Sequence, residues 1–170
     1  MTAPRLVLVG PPGAGKSTLA VLLAERLGLA SRDTDVDVAR TAGKSIADVF
    51  LDDGEQAFRA LESQAVRVAL AEHDGVLALG GGAVLDADVR ELLAGHLVVF
   101  LDVSITGAAP RVGFNRDRPL LLGNPRAQWV QLMEARRPFY EQVATVRVDT
   151  DGKTPEEVAD EVLRVLPPAP

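Results

Sequence analysis

Short apolar runs alternate with longer amphipathic stretches along all 170 residues. Arg5–Val9, Val76–Leu79, Leu97–Leu101 and a short final Val146–Val148 read as buried strands, with a weaker strand around Leu29–Thr34. Between them the helical period takes over. One helix runs from about Gly15 to Leu27 and stops near Gly28. Another spans roughly Gly54–Glu72, with Phe58, Leu61, Ala65 and Val68 at helical spacing. A last one begins near Pro155 and frays into Pro167-Pro168-Ala169-Pro170. Short helices are predicted between the second strand and Gly54, where Ser45-Ile46-Ala47-Asp48 matches a capping box. Alternation of strand and helix predicts an α/β fold with a parallel sheet. No repeat or linker divides it, so residues 1–170 are read as one domain.

The pattern fails from Phe114 to Arg126, where Pro119, Gly123 and Pro125 interrupt an unpatterned Leu120-Leu121-Leu122. A mobile lid fits this composition, and so does a rigid loop packing its leucines on the body. Charge singles out the same region. Arg111, Arg116, Arg118, Arg126, Arg136 and Arg137 face only Asp117 and Glu134 between positions 111 and 137, in a chain of net charge −6. The acidic total argues against a nucleic-acid partner. Guanidinium forks without a single lysine suit an anion clamp, the bland alternative being a solvated helix face. With no cysteine there is no disulfide and no thiolate metal site. No apolar run is long enough to span a membrane, and Met1–Pro4 leave no room for a leader, so the cytoplasm is expected.

Gly10-Pro11-Pro12-Gly13-Ala14-Gly15-Lys16-Ser17 fills every fixed position of G-x-x-x-x-G-K-[ST], between a strand and a helix. That context makes it a loop for nucleoside triphosphate. Glycines curl the chain so that N–H groups point at one anion, and the following helix presents its positive end. Gly13, Ala14, Gly15, Lys16, Ser17 and Thr18 are the candidate nucleotide ligands. Pro11 and Pro12 have no N–H, so the donors must come mainly from Gly13 onward. Lys16 would reach the β- and γ-phosphates, and Ser17 would take a place on Mg²⁺. Gly43-Lys44-Ser45 repeats the end of the motif, but Val38 stands at the first glycine position and no strand precedes it.

Three further features bear on the acceptor. Asp33-Thr34-Asp35 falls at the end of the second strand, where one carboxylate could serve Mg²⁺ and the other an acceptor hydroxyl; Asp35 could equally cap a helix starting near Val36. Gly80-Gly81-Gly82 follows a strand and lets a ligand approach bare backbone. Arg59 sits at helical spacing from Glu55 and Glu62, which on its own reads as a surface ion pair. Asp102, closing an apolar strand, rivals Asp33 for the metal.

In order and spacing, Gly10–Ser17, Asp33-Thr34-Asp35, Phe58-Arg59, Gly80–Gly82, Arg118-Pro119-Leu120 and Arg136-Arg137-Pro138-Phe139-Tyr140 closely resemble the shikimate kinase family over nearly the whole chain. The resemblance implies a nucleoside-monophosphate-kinase-like three-layer fold: a five-stranded parallel sheet flanked by helices, a lid at about 111–126 and a substrate-binding segment at about 33–62. It also implies phosphorylation of the shikimate 3-hydroxyl by ATP. In that reading Asp35 engages the acceptor hydroxyls as positioner or base, and Arg59 and Arg136 hold the carboxylate. Gly80, Gly81 and Gly82 line the acceptor pocket, and Asp33 assists Mg²⁺ with Ser17. Lys16 and Arg118 steady the transferring phosphate, while Arg111 and Asp149–Pro155 contact adenine. Arg137 competes with Arg136 for the carboxylate, although the spacing to Pro138 and Tyr140 favours Arg136. Pro110 is expected to reshape the helix entering the lid. Shikimate is the expected partner, with neither nucleic acid nor membrane, and the chain is expected to act as a monomer. The rivals are a gluconate or nucleoside-monophosphate kinase of the same architecture, and a nucleotide-dependent switch without an acceptor.

Overall fold

A computed structural model describes residues 2–112 and 124–168. Five parallel strands form its sheet: β1 (Leu6–Val9), β2 (Ser31–Asp33), β3 (Val76–Ala78), β4 (Val98–Asp102) and β5 (Val146–Asp149). Their order is β2-β3-β1-β4-β5. β1 lies between β3, with Leu6 opposite Val76, and β4, with Val7 opposite Val98. All residues of β1, β3 and β4 are buried, as expected of strands covered on both faces. The chain order jumps outward from β1 in both directions, so a crevice opens at the carboxyl ends of β1, β3 and β4.

The helices are α1 (Lys16–Leu27), α2 (Thr34–Ala42), α3 (Ile46–Asp53), α4 (Glu55–Glu72), α5 (Ala87–Leu93), α6 (Ile105–Val112), α7 (Pro125–Val143) and α8 (Pro155–Val165). Gly28 ends α1 in a left-handed conformation with φ 69°, where a side chain would be strained. Thr154 and Glu157 close a reciprocal capping box on α8. At Ser45 only half of that device forms, the hydroxyl accepting from Asp48 N–H.

Several boundaries differ from the sequence expectation. Asn124 caps α7 and Pro125 occupies its first turn, so the stretch 124–126 belongs to a helix and not to a lid. Most of the expected lid, Arg118 included, lies outside the described residues. Pro110 sits within the last turn of α6. On α4 the buried positions are Phe58, Glu62, Val66, Ala69 and Leu70, whereas Leu61, Ala65 and Val68 are half-buried. The inward stripe thus runs through a glutamate, which apolar periodicity cannot register.

Packing divides unequally. The main core joins the sheet to its flanking helices. A separate small cluster of Val38, Val49 and Phe58, with Ala42, Ile46, Phe50, Leu61 and Ala65 around it, holds α2, α3 and α4 together. The Phe50 and Phe58 rings meet there at 4.6 Å between centroids. The segment read as substrate-binding therefore has a core of its own.

Candidate active site

The loop Gly10–Gly15 turns from β1 into α1 with Gly10, Gly13 and Gly15 all at positive φ. A Cβ on Gly13 would stand 2.8 Å from both Ala108 Cβ and Val112 Cγ2, so glycine is required there by conformation and by packing against α6. The loop's carbonyls are tied back one after another. Lys16 Nζ donates to the Gly10 (2.7 Å) and Pro11 (3.1 Å) carbonyls. Trp129 Nε1 donates to Pro12 (2.8 Å), and Arg111 donates to Gly13 (3.0 Å). Ala14 N–H closes the turn onto the Pro11 carbonyl at 3.2 Å, and the Ala14 side chain packs into the main core.

Beside this loop opens a cleft of about 750 Å³, lined among others by Gly13, Gly15, Lys16, Ser17, Thr18, Asp33, Asp35 and Arg111. Ser17 Oγ donates to Asp33 Oδ2 at 2.6 Å. Asp33 also caps α2, its other oxygen accepting from Asp35 N–H at 2.9 Å. The cap is therefore Asp33, the helix begins at Thr34, and Asp35 lines the cleft. Two hard oxygen groups side by side suit magnesium, which keeps few protein ligands and completes its shell with phosphates and water.

The glycine triplet is where four charged side chains converge. A Cβ on Gly80 would meet Asp35 Oδ1 at 2.5 Å and Glu62 Oε2 at 2.8 Å. One on Gly82 would clash with the Arg59 guanidinium, and one on Gly81 would stand 3.3 Å from an Arg136 nitrogen. The triplet is itself anchored. Gly80 N–H donates to the buried Thr34 hydroxyl (3.1 Å), and Tyr140 Oη donates to the Gly81 carbonyl (2.5 Å). Arg59 pairs with Glu62 at 2.7 Å and more loosely with Glu55 at 3.8 Å. This is not the surface pair its helical spacing suggests, because Glu62 is only 3% exposed. Burial pushes the Glu62 carboxyl up, despite the counteracting Arg59. Arg136 is 4% exposed, and its Nε has no hydrogen-bond partner among the described residues. An unsatisfied, buried guanidinium edge beside glycine backbone has hydrogen-bonding capacity that an anion could use.

Two candidates are removed from the site. Asp102 accepts from both terminal nitrogens of Arg137 at 2.9 Å and from Arg147 Nε at 2.9 Å. Burial alone would raise its pKa, but these bonds outweigh burial and hold the carboxyl below its usual range. With its oxygens taken by two arginines it is not a rival to Asp33 for metal. Arg137 is committed to Asp102, so it does not compete with Arg136 for a carboxylate. One helical step separates the two arginines by about 100° around α7, enough to send them to different partners. Arg111, by contrast, is brought to the loop: besides Gly13 it donates to the Thr150 hydroxyl at 3.3 Å, joining the cleft to the segment after β5. Glu62, Thr34 and Trp129 were not singled out by sequence; only the spacing of Arg59 and Glu62 hinted at the first.

The strand order, the phosphate-binding loop and the charged pocket beside it define a P-loop kinase of the nucleoside-monophosphate-kinase architecture. Comparison with known proteins narrows this class. The family model "Shikimate kinase" matches residues 12–167. The chain is 61% identical over 166 residues to a shikimate kinase of Streptomyces avermitilis, covering 98% of this chain and 97% of that protein. It superposes on the shikimate kinase of Acinetobacter baumannii in complex with shikimate with a TM-score of 0.92 at 34% identity, over 96% and 93% of the two chains. A gluconokinase from Sinorhizobium meliloti, at 22% identity and a TM-score of 0.60, shares the fold alone. This chain belongs to the shikimate kinase family.

Proposed function

We propose that this protein transfers the γ-phosphoryl group of ATP to the 3-hydroxyl of shikimate, giving shikimate 3-phosphate and ADP. The observation that carries the reading is the convergence of Asp35, Arg59 and Arg136 on Gly80–Gly82, next to the phosphate-binding loop. A small hydroxy acid needs guanidinium groups for its carboxylate, a carboxylate for its hydroxyls, and a floor without side chains. Arg59 and Arg136 supply the first, Asp35 the second and the triplet the third.

Phosphoryl transfer needs alignment and charge neutralisation more than covalent help. The Asp35 carboxylate accepts the hydrogen bond of the attacking hydroxyl and thereby fixes its direction, and it stands ready to take the proton as the O–P bond forms. Lys16 and the N–H groups from Gly13 onward receive the phosphates, and Arg118 steadies the group in transfer. Ser17 and Asp33 would hold Mg²⁺, which would supply neutralisation of phosphate charge. Arg111, with the segment around Thr150, borders the adenine. Among the described residues no helix is long and apolar enough to cross a membrane. We place the enzyme in the cytoplasm as a monomer, which sedimentation of the purified protein checks.

A coupled ADP-release assay with MgATP tests the reading, using shikimate, gluconate and nucleoside monophosphates in parallel. Release dependent on shikimate is expected. Release with another acceptor would overturn the substrate, and ATP binding without any acceptor-dependent release would favour a switch.

A further inference from the structure

We infer that Trp129, on α7 and outside the cleft, is a positioning residue for the nucleotide: it aims the N–H of Gly13 through the carbonyl of Pro12. Trp129 is the chain's single tryptophan, 3% exposed, and its indole N–H donates to the Pro12 carbonyl at 2.8 Å. In a planar trans peptide the carbonyl and the next N–H point in opposite directions. Drawing the Pro12 carbonyl towards α7 therefore turns the Gly13 N–H the other way. Trp129 lines a separate groove with Ile105 and Met133, whereas Gly13 lines the cleft. The peptide so oriented matters more than its neighbours. Pro11 and Pro12 contribute no N–H, so Gly13 carries the first donor of the cradle. The other carbonyls of Gly10–Gly13 are held by Lys16 and Arg111, both lining the cleft. Both of those cations border the space the nucleotide would fill. The indole bond comes instead from a residue that does not line the cleft.

The inference rests on the reading of this loop as the nucleotide site. The test replaces Trp129 by 3-benzothienylalanine, in which sulfur stands for the indole N–H at nearly equal size, and separately by phenylalanine. MgADP and shikimate are titrated singly by calorimetry. With the benzothienyl protein, MgADP affinity is expected to fall about tenfold, the weight of one buried hydrogen bond. The KM for ATP should rise in parallel, with shikimate affinity and kcat at saturating ATP unchanged. Wild-type affinity for MgADP in that variant would overturn the inference, as would an equal loss of shikimate affinity, which marks a merely structural role. If Trp129→Phe fails to fold, the benzothienyl protein still decides. Failure of the unmodified protein to bind MgADP would overturn the nucleotide reading itself, and this inference with it.

Discussion

Asp102 and Glu62 are both buried carboxylates gripped by arginine, at 4% and 3% exposure, yet the protein treats them in opposite ways. Around Asp102, Arg137 and Arg147 satisfy one carboxylate with several bonds, and its pKa falls. Around Glu62, burial raises the pKa despite the pairing Arg59, Asp35 lies close by beside bare glycine backbone, and one edge of the Arg136 guanidinium is left over. The first cluster is electrostatically closed and ties β4, β5 and α7 together. The second keeps an unsatisfied guanidinium edge. Burial and composition are nearly the same in the two; what separates a structural ion cluster from a binding site is whether its hydrogen-bonding capacity is already spent.

The sharpest way to break this contrast is within the open cluster. Asp35→Asn should lower kcat by about 10²–10⁴-fold, the usual worth of a positioned acid–base group, with ATP affinity retained. Near-normal turnover in a stopped assay would remove Asp35 from the reaction. Next come the adjacent arginines. Arg136→Ala should weaken shikimate binding by about 2–3 kcal/mol, read by calorimetry, with little change in MgADP binding. Arg137→Ala should leave shikimate binding intact and cost about 1 kcal/mol of stability in urea unfolding, since Arg137 is partly exposed and Arg147 remains on Asp102. Exchange of these two phenotypes would reverse the assignment.

A pH series sharpens the comparison further. The pKa of Asp102 is lowered on folding, so its contribution is present above the unfolded carboxylate value of about 4 and is lost as pH falls through the lower folded value. Glu62 has the opposite sign. Its raised pKa means stability is greatest below about 4 and declines as pH climbs to the folded value. Thermal unfolding of Asp102→Asn should lack the acid-side loss, and that of Glu62→Gln should lack the decline on the other side. The smallest effect is expected from Thr34→Val, which leaves the Gly80 N–H without its hydroxyl partner and costs about 1 kcal/mol in stability, with a modest rise in the KM for shikimate.

Much of this was legible in the residues. The phosphate-binding loop is written contiguously, because its function belongs to backbone held by local sequence, and the parallel sheet shows in the apolar runs of β1 and β4. The glycine triplet and Asp35 could be placed by their positions after strands. What escaped was the choice of partner across elements. The spacing to Pro138 and Tyr140 favoured Arg136 over Arg137, but nothing local gives Asp102 rather than Asp33 two arginines from distant segments. Glu62 was hidden because a buried acid violates the pattern by which burial is inferred. Trp129 lies far along the chain from the loop it holds, and an indole–carbonyl bond across that distance leaves no spacing to read.

The small core shared by α2, α3 and α4 has a consequence for how such a protein changes over evolutionary time. Val38, Val49 and Phe58 stabilise the acceptor segment largely by contacts among themselves, while the sheet and the nucleotide loop rest on a different set of residues. Mutations that reshape the acceptor end draw on a separate reserve of stability from those that would unfold the body. The fold is in this sense modular: its substrate can drift while its phosphate chemistry stays fixed, and recombination exchanging residues 34–61 between relatives should yield folded, nucleotide-binding chains with altered acceptor choice.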